Sequence, residues 1–109
     1  MELSKKEKKI ARGLIEDGLQ KEFAKGLFEM DAIIEGWKNK STDSRDAYHA
    51  LYRQITVFDK HIARRYDGMR GSDYLFILAA QLKEGFISEE QLNDFTPGLK
   101  DAIIRISRI

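Results

Sequence analysis

The first part of the chain has the hydrophobic spacing of one long amphipathic helix. Ser4 and Glu7 stand three residues apart, as in a capping box, which satisfies backbone donors at a helix start. Beyond them, apolar residues recur at helical intervals that settle into alternating steps of four and three, the period of a coiled-coil seam: Ile10, Leu14, Ile15, Leu19, Phe23, Leu27, Met30, Ile34 and Trp37. With no proline in the way, the pattern predicts a helix from residue 5 to about residue 38.

Three glycines fall inside this predicted helix: Gly13, Gly18 and Gly26. Each weakens a helix by about 1 kcal/mol relative to alanine. We therefore expect a bend or a close helix contact at these positions.

A second amphipathic helix follows a polar break. Residues 39–44 are polar and rich in helix-capping types. Helical spacing then continues to about Tyr66, where Gly68 provides a stop, and the apolar residues on one face are Leu51, Ile55, Phe58 and Ile62. Because both seams have a similar pitch, they predict a hairpin in which the two seams pack against each other.

The rest of the chain predicts three short helices in a compact head. Residues 73–83 are apolar around most of the circumference, which is typical of a buried central helix. Ser88 and Gln91 form another capping-box pattern, and Thr96-Pro97 has the residue types of an N-cap and a first helical position. Inward-facing positions are expected in the last helix at Leu99, Ile103 and Ile106.

These elements predict an all-α fold and a single domain over residues 1–109. Two long amphipathic helices form a dimerisation part over residues 1–67, and a three-helix head occupies residues 72–109. A chain of 109 residues buries a modest fraction of its surface, and self-association would cover the apolar stripes that long helices leave open.

Composition narrows the function classes. The formal charge is +1 and there is no cysteine, which excludes disulfides and thiolate chemistry. The N-terminus lacks a signal-peptide pattern, and no stretch reaches the ~20 apolar residues of a membrane span. We therefore expect a soluble, cytoplasmic protein without a membrane partner.

The sequence offers little for catalysis. His49 and His61 are twelve residues apart on one predicted helix, which is not the spacing of a shared metal site. The carboxylate pairs lie at helix starts or on polar faces, where they complement the helix dipole. We expect no enzyme, no cofactor and no bound metal.

One cluster of cations stands out, with Tyr66 among them: Lys60, His61, Arg64, Arg65 and Arg70. Cations gather at helix C-termini for electrostatic reasons, which accounts for the cluster without a ligand. No nucleic-acid-reading motif accompanies it and the net charge is small, so we expect no nucleic-acid partner. A nucleic-acid-binding regulator that uses residues 60–70 stays open as an alternative.

Several segments together resemble the fluorescence recovery protein family of cyanobacteria. They are Arg65-Tyr66-Asp67, Tyr74-Leu75-Phe76-Ile77-Leu78-Ala79, Gln81-Leu82-Lys83-Glu84-Gly85, Glu90-Gln91-Leu92 and Ile104-Arg105-Ile106-Ser107-Arg108. The similarity is densest over residues 62–109 and is collinear, though weaker, upstream. It implies an all-helical homodimer, joined through its long helices, that is not an enzyme. It also implies binding to the C-terminal domain of photoactivated orange carotenoid protein, which speeds the red-to-orange return by shifting a conformational population.

The second helix departs from the family pattern. With the register set by Tyr66 and Asp67, the family's partner-binding tryptophan, aspartate and arginine are replaced by His49, Arg53 and Asp59. An Arg53–Asp59 pair could persist within or between subunits, while the exchanged charges would alter the field that a partner meets. The client is thus expected to be the carotenoid protein or a related protein.

In the head, the family's phenylalanine is kept as Phe76, whereas a lysine of the last helix is replaced by Ala102. Aromatic residues are enriched at protein interfaces, and Phe28, Trp37, Tyr48 and Tyr52 lie partly off the two seams. The residues predicted to contact a partner or the second subunit are Tyr48, His49, Tyr52, Arg53, Asp59 and Phe76. The alternative for each of these residues is a solvated helix face without a partner. The alternative for the function is a purely structural homodimer.

Overall fold

The computed structural model describes residues 2–109 and confirms the all-α prediction. Helix α1 spans Lys5–Lys38 and α2 spans Ser44–Tyr66, while α3 and α4 occupy Tyr74–Lys83 and Pro97–Ser107. Two short 3₁₀ helices, Gly71–Asp73 and Glu89–Asp94, precede α3 and α4. Within residues 2–109 there is no β-strand. None of these helices is both long enough and apolar enough to cross a bilayer.

The helix starts lie where the capping patterns predict them. At α1, the Ser4 backbone N–H donates to Glu7 Oε1 at 2.9 Å, and the Glu7 backbone N–H donates to Ser4 Oγ at 3.1 Å. Asp43 and Thr96 cap α2 and α4, each accepting a bond from the backbone N–H three residues further on. The capping box at Ser88 is also present, but it opens a 3₁₀ helix.

The chain divides into two compact units. The head unit comprises the N-terminal segment up to Glu22 together with Gly68–Ile109, and the hairpin unit comprises Phe23–Asp67. The hairpin unit ends at Asp67, where the predicted dimerisation part also ends, and the assignment of residues 1–67 to dimerisation stays a prediction. The predicted dimerisation part, however, included residues 1–22, which cluster with the head unit because their buried side chains pack there.

The head unit has a continuous apolar core. Its side chains with almost no exposure come from the N-terminal half of α1, from α3, from the second 3₁₀ helix and from α4: Ala11, Ile15, Leu78, Leu92 and Ile103. Half of the ten residues of α3 are buried, among them Ile77, Leu78 and Ala79. Phe76 is an exception, with 62% of its surface exposed, so α3 also presents one aromatic side chain to solvent.

Helices α1 and α3 come close together at Gly18. The fully buried Gln81 lies across this glycine and donates from Nε2 to the Ile15 carbonyl at 3.0 Å. A Cβ at Gly18 would lie 2.6 Å from both Cδ and Nε2 of Gln81, closer than real Cβ contacts allow. The glycine therefore leaves room for the buried amide.

The hairpin unit is held by contacts between α1 and α2. The rings of Phe23 and Phe58 meet edge to face with centroids 5.9 Å apart, and a Cβ at Gly26 would lie 2.7 Å from the Phe58 ring. Further along, Gln54 Nε2 donates to Glu29 Oε2 at 2.7 Å. As the residue number rises on one helix it falls on the other, so the two helices run antiparallel.

Candidate protein-interaction surface

The hairpin unit leaves large apolar side chains in solvent. The exposed fractions are 64% for Leu27, 66% for Tyr48, 64% for Tyr52 and 46% for Ile55. The sequence placed Leu27 and Ile55 in seams that would cover each other, and this prediction is wrong for both residues. The hairpin closes through Phe23 and Phe58, which the sequence did place in the two seams, and through Gly26, which it did not.

Four of these exposed apolar side chains, Leu27, Tyr48, Tyr52 and Ile55, lie on one side of the hairpin, whereas Phe28 and Val57 are exposed elsewhere. Successive residues of an α-helix are rotated by about 100°, so Tyr48, Tyr52 and Ile55 share one side of α2, turned roughly 100° from the line that faces α1. On α1, Leu27 is turned by a similar angle and in the same sense from Gly26. Because the helices are antiparallel, equal turns bring both sets to one surface, the apolar strip: Phe23, Leu27, Ile34, Tyr48, Tyr52 and Ile55.

Near the α1–α2 loop, the apolar strip continues into a shallow groove of about 300 Å³. Trp37 forms part of its wall, and its Nε1–H donates to Ser44 Oγ at 2.9 Å, which fixes the indole against the start of α2. The remaining walls are almost entirely apolar and come from Ile33, Ile34, Ala47, Tyr48 and Leu51. Such a concave apolar site can accept one side chain of a binding partner.

The structure does not gather all the predicted contact residues in one place. Tyr48, Tyr52 and Asp59 share the side of α2 that carries the apolar strip. His49 and Arg53 are also exposed. The His49 ring meets the Tyr48 ring edge to face with centroids 5.6 Å apart, whereas Arg53 lies roughly 120° further around the helix. Phe76 belongs to the head unit.

An ion pair between Arg53 and Asp59 does not form within this chain. The two residues are separated by roughly 120° around α2 and about 9 Å along its axis. Neither takes part in any ion pair with residues 2–109. Of the two arrangements considered for the exchanged charges, only a pair between subunits remains.

Sequence reasoning missed two features of this surface. It did not include Ile33 in a seam, although this residue lines the groove together with Ile34. It also did not connect Trp37 with Ser44. A signal for that contact exists, because an indole N–H at least partly withdrawn from water usually finds an acceptor, and Ser44 is the first residue of α2.

Comparisons with known proteins assign no family to this chain. No protein-family model matches the chain, and neither the curated proteins nor the solved structures contain a significant match. The resemblance to the fluorescence recovery protein therefore stays a prediction from the residues quoted above.

Proposed function

We propose that this chain is a non-enzymatic regulatory binding protein that forms a homodimer through the apolar strip and acts on a second protein. The observation that carries the proposal is the exposure of the strip, with Leu27, Tyr48 and Tyr52 each more than 60% exposed. Contiguous exposed apolar patches mark interaction sites, and tyrosine is enriched in them.

The strip has the form of an interface centre. A stable interface buries about 800 Å² per partner, with an apolar core and a polar rim. The strip would supply the core, while charged residues at its borders would supply the rim, such as Asp31 beside it on α1 and Asp59 beyond its Ile55 end on α2. Two hairpins joined across it would form a bundle of four helices, which covers the apolar surface that one hairpin leaves open.

The proposed client is the C-terminal domain of orange carotenoid protein or a related protein. The resemblance of residues 62–109 to the fluorescence recovery protein supports this choice, and so does the retained aromatic residue Phe76, which is accessible at 62% exposure. The mode of action is differential affinity. A dimer that binds a conformation on the path from the red to the orange form raises the population of that conformation and so speeds the return.

The dimer is tested by changing Leu27 to lysine and measuring the association state by sedimentation equilibrium. A charge in the middle of the strip must be desolvated on association, so Leu27→Lys should shift the protein to monomer. Because Leu27 is already 64% exposed, the helix content and thermal stability of the monomer should change little.

Phe28→Lys is the matched control. Phe28 is 74% exposed and adjacent in sequence, but it lies about 100° further around α1 and outside the strip. This variant should dimerise like the original chain. Dimers that persist in Leu27→Lys, or that dissociate equally in both variants, would refute the assignment of the strip.

The client is tested by mixing the protein with photoactivated orange carotenoid protein and following the dark return from red to orange. Acceleration that rises with protein concentration supports the proposal. No acceleration, together with no complex in size-exclusion chromatography, rules out this client. A dimer without the activity would favour the alternative of a structural helical scaffold.

A further inference from the structure

A second exposed surface of α2 is lined by cations. Arg53, Lys60 and Arg64 stand at intervals of seven and four, with Val57 between the first two, and all four side chains are exposed. Their spacing of four, three and four is the seam spacing by which one helix lies along another. We call these four residues the basic stripe, which extends about 16 Å along the helix axis.

The cations of the basic stripe are not neutralised by the chain itself. Across residues 2–109, Arg53, Lys60 and Arg64 form no ion pair and no side-chain hydrogen bond. Asp46 precedes the stripe on the same side of α2, and Asp67 follows it, so acidic residues bound it at each end. Val57 is 62% exposed in the middle of the stripe.

The basic stripe is separate from the apolar strip. Its mean direction is roughly 145° around α2 from that of Tyr48, Tyr52 and Ile55. The face that packs on α1, which contains Ala47 and Phe58, lies outside both. Helix α2 therefore presents two different surfaces that can be occupied at the same time.

We propose that the basic stripe is a docking surface for an acidic amphipathic helix of another protein. Carboxylates spaced like the cations would meet Arg53, Lys60 and Arg64, and an apolar side chain between them would cover Val57. Exposed charge pairs each contribute modestly, but a complementary row sets register and selects the partner. This surface is additional to the proposed dimer and does not depend on it.

An acidic helix fits the stripe better than nucleic acid does. Nucleic-acid-binding surfaces are broad and strongly basic, because they neutralise many phosphates. Here the net charge is +1, the stripe is one helix face wide, and Asp46 and Asp67 bound it. Val57 at its centre has no counterpart in a phosphate backbone, whereas an apolar contact flanked by charges is the usual pattern of helix pairing.

The proposal is tested with a fluorescein-labelled helical peptide whose glutamates follow the seam spacing around one leucine. Binding to the full chain is measured by fluorescence anisotropy. The triple variant R53Q/K60Q/R64Q should bind about tenfold more weakly, the sum of three modest charge contacts. Val57→Ser should weaken binding about threefold, since it removes apolar contact without changing charge.

The control variant is K5Q/K9Q/R12Q, which removes three exposed cations from one side of α1. It lowers the net charge equally but should leave peptide affinity within a factor of two. Equal weakening by both triple variants would overturn the proposal, because binding would then follow net charge alone. Tighter binding of a DNA duplex than of the peptide, with a steep salt dependence, would overturn it in favour of nucleic acid.

Discussion

The close packing of Gln81 across Gly18 in the head unit leads to a test with the substitution Gly18→Ala. Helix propensity alone favours alanine by about 1 kcal/mol. The structure predicts the opposite sign, because the new Cβ would lie 2.6 Å from Cδ and Nε2 of Gln81. Gln81 is fully buried and cannot swing into solvent, so its amide must move within the core and lose its 3.0 Å bond to the Ile15 carbonyl.

The size of the effect follows from three contributions. Overpacking a core by one methyl group costs about 1–3 kcal/mol, and breaking the bond of a buried polar group costs about 1–3 kcal/mol. The propensity gain offsets about 1 kcal/mol of this sum. We therefore expect Gly18→Ala to lower the free energy of unfolding by about 3 kcal/mol, measured by urea denaturation with far-ultraviolet circular dichroism. The corresponding fall in Tm is roughly 15 °C.

Gly13→Ala is the matched control in the same helix. A Cβ at Gly13 would have no atom within 4 Å, so only the propensity term applies. This variant should raise the free energy of unfolding by up to about 1 kcal/mol. If Gly18→Ala is stabilising to the same extent, the close approach of α1 and α3 is not what requires glycine at residue 18.

A double-mutant cycle separates overpacking from a general effect on α1. Gln81→Ala removes the amide that the new methyl group would strike, so Gly18→Ala introduced into that variant should no longer destabilise. Because the propensity gain remains in both backgrounds, the coupling free energy should exceed the effect of Gly18→Ala alone by about 1 kcal/mol. Additive effects of the two substitutions would refute the steric explanation.

Two further substitutions probe the hairpin unit. Gly26→Ala places a Cβ 2.7 Å from the Phe58 ring, so we expect about 1–3 kcal/mol of destabilisation, observed as faster amide hydrogen exchange in α2; unchanged exchange would contradict the contact. Ser44→Ala removes the acceptor of the Trp37 indole N–H, so the ring is no longer held against α2 and meets more water. Because Trp37 is the only tryptophan, the fluorescence emission of the protein should shift to longer wavelength. Ser41→Ala, whose hydroxyl contacts Asn39, should leave the emission unchanged.

The starts of α1 and α4 can be predicted from the sequence because the hydrogen bonds that define them are local. The Ser4–Glu7 bonds and the Thr96 cap each span three residues, so the residue types alone indicate them. The stops are local as well, since Gly68 and Gly85 adopt positive φ angles of 69° and 82°, which glycine reaches without strain. These signals, with the helical spacing between them, were sufficient for the all-α architecture.

Which residues of α1 are covered by α2 was decided only by the tertiary structure. A seam of period 3.5 specifies a direction around the helix to within a residue or so, and a shift of one position moves a side chain by about 100°. Leu27 and Gly26 differ by that one position, yet Gly26 meets Phe58 and Leu27 faces solvent. Which of the two residues is covered depends on the side chains of α2 that pack against α1. These contacts join residues more than thirty positions apart in the sequence.

The glycines of α1 show the same difference between what the sequence predicts and what tertiary packing decides. Sequence indicates that each of them weakens the helix, but it does not distinguish the open surroundings of Gly13 from the close contact at Gly18. That difference exists because Gln81, far along the chain, packs across one of them. Local sequence thus determined where the helices run, whereas long-range packing determined which of their faces remain available for binding.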